Sequence, residues 1–306
     1  MFSWIANFIQ NIGVKMQETN ADPIVWFKGW KAINNGDGLV MMNAYDGWYD
    51  YIKDMFNNLG FIEIFLIVAS ALFWTGVYIV IIKKLAQNHA PSMPWVCLCM
   101  NFSWEFQFAF LVPYPEPVTR WGIYLWVVFD FIMYVLDLKY GKYAFRQRWG
   151  EQYGKKSYYY SVKVGLFAII FITILAMNPQ WPKLPDSPMF AAYIMNAIMS
   201  MLFITHMFTK ETIEGTSIYQ AWFKFLGTLA PSILGFMWMP GNWFVYCLAF
   251  ICAICDIIYI IMLTDRYHQF GVNPYTGKAI KGMEDKFEET QKALAAYKEK
   301  SNTFQW

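Results

Sequence analysis

Apolar residues are gathered into seven long runs with polar punctuation between them. The runs cover about Gly60 to Ile82, Trp95 to Tyr114, Trp121 to Leu138, Tyr159 to Met177, Met189 to Met207, Tyr219 to Pro240 and Trp243 to Leu263. Each is close to the roughly 20 residues of helix that a bilayer core requires. Proline marks several of the breaks: Pro113, Pro115 and Pro117 after the second run, and Pro179, Pro182, Pro185 and Pro188 after the fourth. Pro240 with Gly241 makes a tight turn between the sixth and seventh. Proline has no N–H to continue a helix, so these positions end it. The pattern predicts an all-α, polytopic membrane protein with seven transmembrane helices over residues 60–266.

Charge orients these helices. Lys83 and Lys84 follow the first run. Lys139, Lys142, Arg146, Arg148, Lys155 and Lys156 lie between the third and fourth, Lys210 follows the fifth, and Arg266 follows the seventh. The opposite loops hold Arg120 and Lys183. The positive-inside rule places the basic side in the cytoplasm, with the C-terminus there and the N-terminus extracytoplasmic. Such an arrangement suits a bacterial inner membrane or a eukaryotic ER or organelle membrane. Residues 1–59 mix Trp4, Phe8, Trp26, Phe27, Trp30, Trp48 and Tyr49 with scattered charges, the pattern of interfacial helices lying on the membrane. Their start lacks the basic n-region and cleavage site of a signal peptide. Residues 267–306 form a cytoplasmic tail, in which Met283 to Lys300 read as a charged, solvated helix.

Composition agrees. The 306 residues are 57% hydrophobic and 15% charged, against about 25% charged in a soluble domain. A net charge of +2 without an Arg-rich patch excludes nucleic-acid binding. The five cysteines all fall in apolar runs and read as small buried hydrophobes. His89, His206 and His268 are too far apart to suggest a haem or metal centre. No Gly-rich phosphate loop is present, so no cofactor or metal is expected.

Candidate chemistry rests on acids inside the spans, which cost roughly 2.5–3.5 kcal/mol each to insert. Glu105 lies near the middle of the second run, Asp130 near the middle of the third and Asp256 just past the middle of the seventh. The centres of the spans show no obvious Lys or Arg counter-charge. The acids are then expected to be protonated, hydrogen-bonded or turned toward a polar cavity. Asn101 is one helical turn before Glu105 and shares its face, with Trp104 beside it. Tyr134 follows Asp130 by one turn, and Tyr259 follows Asp256 by three residues. Carboxylic acids among aromatic rings could protonate an apolar substrate and stabilise the cation formed. The same acids could instead serve as hydrogen-bond glue between helices.

The stretch Cys99-Met100-Asn101-Phe102-Ser103-Trp104-Glu105-Phe106, with Pro113 after it, resembles the Asn-x-x-Trp-Glu signature of the integral-membrane terpene cyclases of meroterpenoid and indole-diterpene pathways. Trp126 to Asp130 resembles the family's Trp-x-x-x-Asp segment. Cys255 to Tyr259 is similar to its last helix, which carries the second essential acid. The resemblance covers roughly Gly60 to Arg266. It implies seven spans and a non-metal, acid-initiated cyclisation of a prenyl (isoprenoid) chain, often an epoxide. Glu105 would then be the proton donor, alone or paired with Asp256. Asn101, Trp104, Asp130, Tyr134 and Tyr259 would line the substrate. The Asp-Asp-x-x-Asp and Asp-x-Asp-x-x-Asp clusters of metal-dependent cyclases are missing, which fits protonation as the trigger.

Two other readings stand beside this one. A structural or lipid- or pigment-binding subunit of a larger complex would meet other membrane subunits through residues 1–59 and 283–306. A proton-coupled transporter would show inverted repeats and broken helices, of which Pro231 is the one hint. The cyclase reading expects a cavity between the second, third and seventh spans, faced by Glu105 and Asp256.

Overall fold

The computed structural model describes residues 30–34, 39–44, 60–111, 117–177, 187–238 and 241–306. Within residues 1–59 it describes one antiparallel hairpin, β1 (Trp30–Asn34) with β2 (Leu39–Ala44), irregular between Trp30 and Ala32. A strand pair thus occupies a stretch where interfacial helix was expected; the rest of that expectation lies outside the described residues. So do Pro113, Pro115, Pro179, Pro182, Pro185 and Pro240.

Eight α-helices follow among the described residues. They are α1 (Phe61–Asn88), α2 (Trp95–Phe106), α3 (Pro117–Tyr153), α4 (Lys156–Met177), α5 (Ser187–Met207), α6 (Ile218–Trp238), α7 (Trp243–Gln269) and α8 (Glu284–Thr303). Helices α1 to α7 fall on the seven apolar runs. Five of them are long and apolar enough to cross a membrane: Phe61–Asn88, Trp121–Tyr153, Lys156–Ile174, Phe190–Met207 and Trp243–Gln269. Helices α2 and α6 fall outside that group for a physical reason. Helix α2 is short, passes into a π-helical turn (Gln107–Leu111), and buries Asn101, Ser103 and Glu105. Helix α6 buries Gln220, Lys224, Thr228 and Ser232, one on each turn. A helix that keeps its polar side chains against protein need not be apolar all round.

Neighbouring helices close a ring: α1 packs on α3, α3 on α4, α4 on α2, α2 on α5, α5 on α7, α7 on α6 and α6 back on α1, with α2 also on α3. Phe65, Leu72, Phe131, Ile169, Ile172, Phe250 and Ile261 point outward and are more than half exposed, an apolar outer surface suited to lipid. Inside, one buried cluster joins Trp74, Tyr78, Trp104, Phe108, Phe203 and Tyr259.

The α1–α6 contact depends on glycine. A Cβ at Gly76 would come within 2.8 Å of the Phe223 ring, and one at Gly227 within 3.1 Å of Trp74. Small residues let helix backbones approach where the surrounding lipid gives no hydrophobic drive. Gly76→Leu is expected to cost about 1–3 kcal/mol through overpacking, read as a lower midpoint in thermal unfolding of the detergent-solubilised protein. Pro231 interrupts α6, but the freed carbonyl of Gly227 accepts from Ser70 Oγ at 3.0 Å, and the Pro231 carbonyl accepts from Tyr193 at 2.6 Å. The carbonyls around Pro231 are therefore satisfied by neighbouring helices, as polar backbone in a membrane must be.

The tail helix α8 is largely exposed, as expected, and packs one face on its own chain. Gly271 (φ 68) turns it back; a Cβ there would meet the Met283 carbonyl at 2.8 Å. Thr290 Oγ1 then donates to the Phe270 carbonyl at 2.9 Å, and Ser301 Oγ to the His89 carbonyl at 2.9 Å. Tyr297 meets Tyr143, and Trp306 meets the fully buried Tyr159. One buried aromatic is worth about 1.5–3 kcal/mol. Truncation after Gly282 is accordingly expected to lower Tm by at least about 4 °C, and to open the end of α3 to limited proteolysis.

Candidate functional site

Among the described residues, three networks of buried ionisable groups lie between the helices, and the acids singled out in the sequence fall into two of them. The first joins α1, α2 and α3. Asn101 and Glu105 sit one turn apart on α2, and Asn101 Nδ2 donates to Glu105 Oε1 at 3.1 Å. The same amide reaches Asp130 Oδ2 on α3 at 3.2 Å. Tyr78 on α1 donates its hydroxyl to Glu105 and accepts from Asn101. Asn101 thus bridges the Glu105 and Asp130 carboxyls. Two buried acids this close to one amide resist carrying two charges together. Neither acid has an ion-pairing Lys or Arg among the described residues. Glu105 is 2% and Asp130 0% exposed.

Aromatic packing holds this network. The Tyr78 ring stacks on Trp126 at 6.1 Å and meets Phe129 at 6.0 Å. Trp126 is pinned by donating Nε1–H to Thr75 Oγ1 at 3.1 Å. Trp104 is buried and packs on Phe108 at 4.7 Å. Directly after Glu105 the helix widens into its π turn, where Gln107 is buried and donates to the Phe171 carbonyl at 3.0 Å. Such turns occur often at functional sites.

The second network joins α5, α6 and α7. Lys224 Nζ lies 2.6 Å from Asp256 Oδ1 and 2.6 Å from Ser200 Oγ. The lysine side chain is 1% and the aspartate side chain 2% exposed. Asp256 Oδ2 has no hydrogen-bond partner among the described residues. Asp256 lines a small cavity with Phe225, Thr228, Leu229, Ser232, Ala249 and Ala253. Tyr259 sits one turn further along α7 with its ring 5.5 Å from Phe203. The third network pairs Lys163 with Asp137 beneath the Trp95 ring, 3.8 Å from the ammonium.

Against the sequence expectations, Asn101 and Asp130 meet Glu105, whereas Asp256 bonds within a different network. The cavity beside Asp256 lies between α6 and α7, not between the second, third and seventh spans. Tyr134 packs on Trp95, Phe102 and Phe167, away from the acid cluster. The expectation that the acids lack a cationic partner is corrected by Lys224, which neutralises Asp256. Lys163 likewise serves Asp137. Tyr78, Lys224 and Ser200 were missed. Lys224 had a visible signal: Gln220, Lys224, Thr228 and Ser232 form a polar stripe at four-residue spacing within an apolar run. Tyr78 had none, since tyrosine is ordinary in a membrane helix.

The model of one protein family, the Pyr4-like transmembrane terpene cyclases, matches residues 53–267. The chain belongs to this family. The match takes in α1 to α7 and leaves β1, β2 and α8 outside. Curated relatives agree. The Pyr4-family terpene cyclase mfmH of Annulohypoxylon moriforme is 24% identical over 179 residues, 58% of this chain and 71% of the relative. The terpene cyclase macJ of Penicillium terrestre is 22% identical over 175 residues, 57% of this chain and 66% of the relative. A shorter match to the terpene cyclase dpasB of Apiospora sacchari is 40% identical over 50 residues, 16% of this chain and 21% of the relative. No solved structure matches. Membership of this transmembrane family, with the five apolar helices, makes the chain an integral membrane protein.

Proposed function

We infer that this protein is a membrane terpene cyclase that starts ring closure of a prenyl chain by protonating it, with Glu105 as the donor. The observation that carries the reading is the buried Glu105–Asp130 pair, bridged by Asn101, without an ion-pairing Lys or Arg among the described residues and set among Tyr78, Trp104, Trp126 and Phe129. Protonation of an epoxide oxygen or an alkene creates a carbocation. Buried rings are well suited to face such a cation, because the ring face is electron-rich. Asn101 and Tyr78 fix the Glu105 carboxyl, so little reorganisation is needed when its proton leaves. The resemblance implied Glu105 as donor, alone or paired with Asp256; the shared Asn101 amide favours Asp130 as the acid beside Glu105.

The family match and the closed ring of α1 to α7 support a seven-span reading. The tail touches the ends of α1, α3 and α7 together, which supports placing those ends on one side, the basic cytoplasmic side. The N-terminus then lies on the other side.

The reading is tested by giving membranes of a yeast host that expresses the protein a panel of epoxidised prenyl-arenes, with cyclised products followed by mass spectrometry. Wild type is expected to cyclise at least one; a panel wholly untouched by wild type would overturn the assignment. Asp130→Asn, which leaves the pair one carboxyl short, is expected to lower turnover by about 10²-fold or more. Tyr78→Phe keeps the ring and removes one hydrogen bond, worth about 1–3 kcal/mol. A loss of about 10–100-fold, mostly in kcat, is expected there.

A further inference from the structure

We propose that Lys224 is a positioning residue that holds Asp256 as a permanent carboxylate, so that Asp256 takes part in the reaction as an anion and never as the proton donor. The Lys224 ammonium fits its surroundings. It donates to Asp256 Oδ1 and Ser200 Oγ, both at 2.6 Å, and lies 6.0 Å from the Phe203 ring. An ammonium this deeply buried needs a full counter-charge beside it, and Asp256 supplies one. One carboxylate oxygen is used in that pair. The other, Oδ2, is buried and unpartnered, in a residue that lines the α6–α7 cavity. Thr228 Oγ1, also buried and without a partner, lines the same cavity. The ligand this chemistry takes is positive charge or a hydrogen-bond donor.

The two acid networks are therefore chemically unlike. On the α1–α2–α3 side, two carboxyls meet one amide, and neither has an ion-pairing Lys or Arg among the described residues. On the α5–α6–α7 side, one carboxylate is matched by one ammonium and has an oxygen to spare. The aromatic cluster that includes Tyr78, Trp104, Phe108, Phe203 and Tyr259 has members on both sides. A cation that reached the α6–α7 cavity would meet the unpartnered Asp256 oxygen at close range, where it outweighs the more distant ammonium. The functional part of this inference rests on the cyclase reading; the charge state of Asp256 is measurable without it.

The test is infrared spectroscopy of the full-length protein in lipid nanodiscs at neutral pH, with ¹³C-carboxyl aspartate labelling to isolate the aspartic acid C=O band. Asp256→Asn is expected to remove nothing from the protonated-carboxyl region, because Asp256 contributes no neutral acid. Lys224→Met is expected to add a new aspartic acid C=O band, absent again in Lys224→Met/Asp256→Asn, as an unmatched buried carboxylate takes up a proton. Either of two results overturns the proposal: loss of a protonated-carboxyl band in Asp256→Asn, or no new band in a Lys224→Met protein with native helix content. Should Lys224→Met fail to fold, the Asp256→Asn comparison alone decides. Failure of the cyclase reading would show instead as absent turnover with these bands as expected.

Discussion

The Glu105→Gln variant is expected to cyclise prenyl substrates about 10²–10⁴-fold more slowly than wild type, the usual contribution of a positioned general acid. Glutamine is nearly isosteric with the acid. Its carbonyl can still accept from Tyr78 and Asn101, and its amide can donate to Asp130, so the α1–α2–α3 contact survives. What is lost is a proton that can be given away. Turnover should fall while substrate affinity changes little, since a donor acts at the transition state more than in the bound ground state. Glu105→Asp keeps the acid but withdraws it by one methylene from Tyr78 and is expected to fall between the two. The measurement is product formation in membranes matched for protein amount by immunoblot. Unchanged turnover in Glu105→Gln would remove Glu105 as donor and leave Asp130 to be tested in its place.

The sequence made some of this legible and hid the rest for identifiable reasons. Long apolar runs are direct evidence of helices, so α1 to α7 lie where the runs lie. Spacing along one helix is equally direct: Asn101 and Glu105 share a face because they are four residues apart, and the structure joins them by a hydrogen bond. Contacts between helices carry no such signature. Asp130 could meet Glu105 or not, depending on how α3 rotates against α2. Asp256 looked equivalent to Glu105 by depth, yet a lysine on a third helix gives it the opposite chemical character. Lys224 itself was passed over because it lies nearer the end than the middle of its run. Its meaning emerges only with the stripe that buries Gln220, Thr228 and Ser232 on the same face. The π turn after Glu105 is a hydrogen-bonding detail invisible in hydropathy. The tail helix is charged and largely exposed, as its sequence suggests, but the contacts of Tyr297, Ser301 and Trp306 that dock its other face leave no mark in a charge pattern.

The second large effect concerns stability. Removing either partner of the Lys224–Asp256 pair is expected to destabilise the folded protein by about 3–5 kcal/mol, because an uncompensated charge is left in the interior. Protonation of the surviving Asp256 in Lys224→Met limits that cost but leaves a carboxyl whose old partner is gone. Asp256→Ala is worse placed. Among the described residues the Lys224 ammonium then keeps Ser200 and a ring 6.0 Å away, so it must shed its proton or draw water between α5, α6 and α7. The joint replacement Lys224→Met/Asp256→Leu should recover much of the loss, since an apolar pair of similar volume carries no desolvation penalty. Unfolding in mixed detergent micelles, followed by circular dichroism, measures all three. The decisive quantity is the coupling between the two sites. A double variant as unstable as the sum of the singles would mean the pair contributes no joint term. A stable double variant without turnover would separate the two roles: the charge pair would then be dispensable for the fold and needed for chemistry at the Asp256 cavity.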